Sequence, residues 1–471
     1  MENGDEEGKV RQIDEEALVE LRDRVDGAVL RPGEEGYDEA RAVWNAMIDR
    51  RPALVVRPAT ARDVARAVTF AREHDLALAV RSGGHSVAGT AVCDGGLMID
   101  CTSMTAIAVD PAARTVRADA GVTVGAFDEA TQAHGLATPG GIVSTTGLAG
   151  LTLGGGWGWL SRSYGLSIDS LRSVDVVTAD GELVRASEAE HPDLFWALRG
   201  GGGNFGVVTC FEFDLHPVGP EVLAGVLVYP FEVAGDLLRF HREFTAQAPD
   251  ELCCYASVRT APAVPFLPEP LHGEPIATAY LCYAGDVAAG ERAVEPLREF
   301  RPPLVDLVEA RPYVEFQGLF DAVYPPGFRN YWKSGFVDDG LSDAAIDTLV
   351  GYAETLTSPY TSIVVEHLGG EIARREPDAT AYAHRDASHA FNVFTRWEDA
   401  AEDERHVAWT REFFEAMTPF LSDGVYVNFL SREEKRVRAA YGDNYERLVE
   451  AKRKYDPENA FRLNQNVDPE S

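Results

Sequence analysis

Two glycine-rich stretches hold the residues whose types and spacing could do chemistry. The first is Arg81-Ser82-Gly83-Gly84-His85-Ser86, directly after the apolar run Leu76–Val80. Glycines there permit positive φ and let successive backbone N–H groups converge on an anion with no Cβ in the way. With the Ser82 and Ser86 hydroxyls beside them, the loop suits a pyrophosphate; the alternative is an ordinary strand-to-loop turn. The second stretch runs from Pro139 to Gly158 and includes Gly140, Gly141, Ser144, Thr146, Gly147, Gly150 and Gly154. So many glycines make a poor helix and a poor strand, and ordering them is costly without a ligand. The tract points to a flat, polar-edged molecule lying against the backbone, with a bland loop as the alternative. It lacks the GxxxxGK[ST] of a phosphate loop. It also lacks a strand–GxGxxG–helix followed about 20 residues on by an acid, so a nicotinamide site is weakly supported.

The elements that must present these loops follow from hydrophobic period. Leu54–Pro58 is a short strand, Thr60 a cap, and Arg62–His74 a helix with apolar residues at 64, 67, 68 and 71. Strands are expected at 76–80, 96–100, 105–109, 114–118, 173–178, 182–185 and 206–215, with helices at 123–134 and 188–198. Beyond Pro217 strands at 225–228, 253–259, 276–284 and 361–368 interleave with helices near 232–247, 287–299 and 341–356, an α+β pattern without strict βαβ repetition. Val425–Phe429 reads as a strand and 432–454 as one helical run. No internal repeat is evident.

The 471 residues are 45% hydrophobic, which excludes disordered and collagen-like chains and allows two or three packed units. A net charge of −33 repels phosphate backbones, so nucleic acid is not an expected partner. Only five residues, at 9, 333, 435, 452 and 454, are lysine; such a surface suits a high-salt cytoplasm, or simply a GC-rich genome. The six cysteines form no CxxC pair and show no zinc spacing, so no metal is expected. They read as buried thiols in a reducing compartment, a Cys93–Cys101 disulfide being the alternative. The N-terminus has no Sec-like pattern and no run of about 18 apolar residues occurs, so a cytoplasmic protein without a membrane partner is expected.

Taken in order, the motifs resemble the FAD-linked oxidoreductases of the vanillyl-alcohol-oxidase / p-cresol-methylhydroxylase (PCMH) fold, in the berberine-bridge-enzyme-like branch. They are Val55-Val-Arg-Pro-Ala-Thr60, Arg81–Ser86, Thr138-Pro-Gly-Gly141, Gly154-Gly-Gly-Trp-Gly158, Arg162-Ser-Tyr-Gly-Leu166, Phe195–Gly206, Tyr426-Val-Asn428, Tyr455-Asp-Pro457 and Arg462-Leu-Asn-Gln-Asn466. The resemblance spans about residues 40–468. It implies an α+β protein: an acidic segment 1–40, a PCMH-type FAD domain built from 41–218 and 416–471, and an α+β substrate domain, 219–415, with a largely antiparallel sheet.

By the same resemblance, 81–86 is the pyrophosphate loop and His85 carries the flavin 8α-methyl covalently. The family's second, cysteinyl link falls at Val143, so a single link is implied. Pro139, Gly140, Gly141, Ser144, Thr146, Gly147, Gly150 and Gly154 would lie along the ring and ribityl, and Gly206 to Val208 along the nucleotide end. Asn464 and Asn466 would return to the flavin face. Tyr426, with Asn428, resembles a Tyr-x-Asn motif whose tyrosine works as a base, provided its pKa is lowered. Asn392 stands where some relatives carry a Glu or Gln, and being an amide it cannot be a base; Glu366 and His367 are alternative helpers. The implied activity is hydride transfer from an alcohol, sugar hemiacetal or secondary-metabolite C–H bond to FAD, reoxidised by O2 or another acceptor. The oxygen-access position falls at Thr146, which leaves oxidase and dehydrogenase both open. The readings set against it are an NAD-dependent dehydrogenase and a flavin carrier with little turnover. Substrate and oligomeric state stay open.

Overall fold

A computed structural model of the chain describes residues 13–433 and 435–471. Lys9 and part of the acidic N-terminal segment lie outside the described residues.

A four-stranded sheet begins the chain. Leu54–Arg57 and Leu78–Arg81 flank Leu97–Asp100 in parallel, and Ala28–Leu30 pairs antiparallel on the outside. The helix Ala61–Glu73 starts at a Thr60/Asp63 capping box and buries Val64, Ala67, Val68 and Ala71, the stripe its period predicts. It packs against Leu97–Asp100 and Leu171–Val177, and the chain leaves the edge strand Leu78–Arg81 straight into 82–86. A second, five-stranded antiparallel sheet runs in the order 107–110, 115–119, 207–214, 171–177, 183–187. The core shared by these sheets also takes Val425, Val427, Leu430, Tyr441, Leu448, Val449, Phe461 and Val467 from the far end of the chain.

The middle of the chain forms an antiparallel sheet of eight strands. Its central members are Glu221–Pro230, Pro275–Tyr283, Leu252–Thr260, Ser362–His367, His389–Trp397 and Arg329–Val337. Helices Ala234–Thr245, Val287–Phe300, Asp343–Ala353 and Asp403–Met417 contribute to the core on one face. Its other face looks towards the glycine loops. Among the described residues no helix is long and apolar enough to cross a membrane.

Three expectations are corrected. Val427–Phe429 is a 3-10 turn, with Phe429 N–H bonded to the Tyr426 carbonyl, where a strand was expected. The run 432–454 breaks into helices Val437–Tyr441 and Tyr445–Tyr455, because Gly442 takes φ +51°, which no helix continues through. Within the glycine tract, Leu148–Leu153 is a short helix, since Leu148, Thr152 and Leu153 have a core to enter. All six cysteines are free, including Cys93 and Cys101, and only Cys210 is not fully buried.

Candidate active site

The glycine loops and the eight-stranded sheet enclose a cleft of about 340 Å³. One end is made of backbone. Gly83 and Gly147 meet so closely that a Cβ on Gly147 would lie 2.1 Å from the Gly83 nitrogen. Gly84 takes φ +72°, open to glycine at little cost. The N–H groups of Gly83, Gly84, His85 and Ser86 donate to no other described residue, so four donors are left for an anion. The serine hydroxyls are not free in the same way: Ser82 Oγ donates to the Ala120 carbonyl (2.6 Å) and Ser86 Oγ pairs with Thr90 Oγ1. Arg81 sends Nη1 to the Ala40 carbonyl, and its buried Nε makes no hydrogen bond but lies 3.9 Å from Asp100 Oδ1.

His85 stacks on Trp44, ring centroids 5.2 Å apart, and its Nε2 lies 3.1 Å from Thr145 Oγ1. Burial pushes its pKa down to about 4, so the imidazole is neutral at pH 7. Thr146, Gly147, Gly150, Gly206 and Val208 line the cleft, and open space surrounds the Cα of Gly150. Asn464 Nδ2 donates to the Gly203 carbonyl (2.8 Å) while its Oδ1 is buried and unpartnered. A buried knot fixes this tail. Lys452 Nζ donates to Asp456 and to the Asn204 and Phe461 carbonyls, and Asn204 Nδ2 reaches the Gln465 carbonyl.

The other end is made of side chains. Strand alternation turns Glu366 into the cleft and His367 to the helix side, where it stacks with His389 and meets His241. Burial pushes the Glu366 carboxyl up to about 7, against the Trp157 indole N–H, which donates to it at 2.9 Å. The Asn392 amide stands beside the carboxylate without a well-shaped hydrogen bond, yet its positive end still favours the charged form. Tyr426 stacks on Trp157 at 3.8 Å, and its oxygen accepts from Gly156 N–H and Asn428 Nδ2, each at 2.9 Å. The tight turn at 427–429 brings Asn428 back to that phenol. Phe429, Trp332 and Phe394 complete an aromatic wall.

Several expected contacts are not made. Pro139 is turned to Ser167, whose Oγ donates to its carbonyl, and Gly140 crosses behind the cleft against Gly158. Ser144 faces outward, bonded to Asp321 through both N–H and hydroxyl. Gly154 is covered by Asn428, whose amide would lie within 2.2 Å of a Cβ there, so this glycine admits Asn428 and does not line the cleft. Asn466 and Asn392 are not in the lining. Tyr426 also departs from the lowered pKa a phenolic base requires: burial raises it above 10 despite two donors. Trp44, Trp157, Asn204 and Lys452 are site residues that sequence reasoning gave no role, although Trp157 and Asn204 stand inside the quoted motifs 154–158 and 195–206 and Lys452 is spaced i, i+4 from Asp456.

The cleft fits a dinucleotide with a flat ring: a Cβ-free cradle, unspent N–H donors and an orphaned Asn464 oxygen at one end, aromatic faces at the other. Comparison with known proteins agrees. Residues 52–187 match an FAD binding domain and 425–468 the berberine and berberine-like family. The chain is 34% identical to an FAD-linked oxidoreductase of Dictyostelium discoideum, covering 96% of each. It is 31% identical to (R)-6-hydroxynicotine oxidase of Paenarthrobacter nicotinovorans, covering 95% of this chain and 97% of the other. The crystal structure of 6-hydroxy-D-nicotine oxidase from Arthrobacter nicotinovorans superposes with a TM-score of 0.86 at 30% identity, covering 94% of this chain and 98% of that one. The xylooligosaccharide oxidase of Myceliophthora thermophila shares the fold, with a TM-score of 0.84 at 24% identity over 96% of this chain and 99% of that one. The chain therefore belongs to the berberine-bridge-enzyme-like FAD-linked oxidoreductases, and the NAD reading is set aside.

Proposed function

We propose that the protein oxidises a small organic molecule at a C–H bond beside an O–H or N–H group, and that Glu366 takes the O–H or N–H proton. The observation that carries this reading is a buried carboxyl with a pKa of about 7 at the aromatic end of the FAD cleft. Such a group is a carboxylate just above neutrality and lies near the optimum for accepting a proton. FAD, bound in the cradle, supplies the acceptor for the hydride. The Trp157 N–H keeps the carboxylate oriented. Tyr426 has a different role from the base first expected of it. Two donors occupy its oxygen, so its own hydrogen is left to donate to the substrate. The aromatic wall excludes water.

His85 carries the flavin through one imidazole nitrogen in this proposal. The support is a neutral ring, clamped on Trp44, whose Nε2 is engaged with Thr145 and whose Nδ1 is the remaining nucleophile. The relatives named for 6-hydroxynicotine and xylooligosaccharide favour a small-molecule substrate. The electron acceptor is O2 or another oxidant. Six free cysteines support a reducing, cytoplasmic location.

Anaerobic mixing of the flavin-loaded protein with alcohols, hemiacetals and amines tests the reading. One class bleaches the band near about 450 nm, and Glu366→Gln slows that step by about 10²–10³-fold. An unchanged rate in the variant contradicts the role of Glu366. A band that no class bleaches favours the carrier reading.

A further inference from the structure

We infer that Arg162 is the residue that positions Glu366: its guanidinium ties the opened end of the strand carrying that carboxyl to the turn carrying Trp157, and so sets how deeply the carboxyl is buried. This rests on the proposed reading of Glu366 as the proton acceptor and names what holds it in place.

The sheet by itself holds Glu366 from one side only. There it pairs with Ala390, inside the ladder between Ser362–His367 and His389–Trp397. On the other side the ladder with Leu252–Thr260 runs from the pair Arg259/Ser362 to the pair Ala256/Val365 and stops one residue short of Glu366. Beyond that point the two strands no longer pair, and Arg162 bridges them. Its Nε donates to the Leu252 carbonyl at 2.9 Å and its Nη1 to the carbonyl of Leu368, two residues past Glu366. Nη2 reaches the Ala248 carbonyl at 3.3 Å. The planar fork of the guanidinium thus replaces the missing rungs at a fixed spacing. Two glycines make room for it. A Cβ on Gly369, at φ +78°, would lie 3.2 Å from Arg162 Nη1, and one on Gly370, at φ +60°, would lie 2.5 Å from the Arg162 carbonyl oxygen.

The other end of the tie is the Trp157 turn. Ser161 Oγ accepts from Gly158 N–H at 2.9 Å and Ser161 N–H donates to the Gly158 carbonyl, which closes the chain from Trp157 into the short helix Ser161–Tyr164. Ser163 Oγ adds a bond to the Asp250 carbonyl. One closed turn therefore grips the substrate sheet at two points: Trp157 N–H on the Glu366 carboxyl, and Arg162 on the backbone two residues later. Arg162 is only 6% exposed, and burying a guanidinium for packing alone is costly. The charged and titratable groups around it are Asp250, 3.8 Å away, Arg374, Cys253, Cys254, and His367 and His389, which burial keeps neutral. Its nearest partners are backbone carbonyls, which call for its shape as well as its charge.

The test reads the Glu366 carboxyl directly, by infrared titration of the flavin-loaded protein without substrate. The C=O band of the protonated acid that Glu366→Gln removes should titrate with a midpoint of about 7 in wild type. Tyr255, Cys253 and Tyr426 are the titratable groups that face this carboxyl, and burial holds all three protonated. The midpoint therefore reports burial and the Trp157 contact. Arg162→Lys, whose single nitrogen cannot span both strands, should let water reach the carboxyl and bring the midpoint below about 6. Gly369→Ala, which presses on Nη1 and leaves the charge in place, should move it the same way by less. Tyr229→Phe breaks a 2.7 Å hydrogen bond to the Leu297 carbonyl on the helix-covered face of the same sheet and should leave the midpoint at about 7. A midpoint unmoved in both Arg162→Lys and Gly369→Ala overturns the inference and leaves the role of Glu366 standing. An equal fall in Tyr229→Phe overturns it too, since general loosening would then suffice. A wild type with no Glu366 band titrating near about 7 sinks the reading beneath it as well.

Discussion

The two ends of the cleft are built from different materials. The nucleotide end is backbone: Gly83, Gly84 and Gly147 bring N–H groups to a surface that no side chain covers. The reacting end is side chain: Glu366, Trp157, Tyr426, Phe429 and Trp332, drawn from four separated segments. A cradle made of backbone tolerates almost no substitution, because its shape is the chain's own path. A pocket made of side chains can change its chemistry one residue at a time. The fold therefore fixes the cofactor and leaves the substrate to be chosen.

Four substitutions sharpen that contrast, taken from the largest effect down. Lys452→Met strands Asp456 in the core behind the nucleotide end and should cost about 4 kcal/mol in denaturant unfolding, with loss of bound flavin. Gly147→Val drives a side chain into Gly83 and the Ser82 hydroxyl; a loss of about 3 kcal/mol and a colourless protein are expected. Normal flavin content in either variant would break the claim that the backbone end is intolerant.

At the reacting end the signs differ. The Glu366 carboxyl is held above its ordinary value, so the folded state binds its proton more tightly than the unfolded chain. The stability this contributes is present in full below the unfolded pKa and is lost as pH rises through about 7. Glu366→Gln should therefore be more stable than wild type at pH 8 by about 2–3 kcal/mol while turning over far more slowly; thermal melts at pH 5 and 8 measure the difference. Tyr426→Phe leaves Gly156 N–H and Asn428 Nδ2 without their shared acceptor, for a loss of about 1–2 kcal/mol in melting experiments. Its flavin content should not change.

The same contrast explains what the sequence made legible. Glycine clusters suggest a backbone site, yet the short loop at 81–86 by itself reads equally as an ordinary turn and gains its reading as a pyrophosphate loop only from the resemblance. Ser144 and Pro139 lay in the second glycine stretch, 139–158, and still turned away. Composition marks a tract but not which side of it faces the ligand, and here Asp321 and Ser167 decided that. Glu366 was harder to assign, since Ser362–His367 reads as an ordinary strand and only pairing with His389–Trp397 shows which face meets the cleft. Tyr426 and Asn428 came from the resemblance to a Tyr-x-Asn motif, yet their geometry depends on a turn that the β-prone run 425–429 conceals. Lys452 acquires its role only when Asn204 and Phe461 arrive from elsewhere in the chain.

The account stands most directly on where the flavin is held. Acid-precipitated protein digested with trypsin gives a peptide from Ser82 to Arg114 that contains His85. The account predicts a yellow pellet and that peptide carrying the mass of one FAD at His85. An unmodified peptide, with all the flavin left in the acid supernatant, would contradict it.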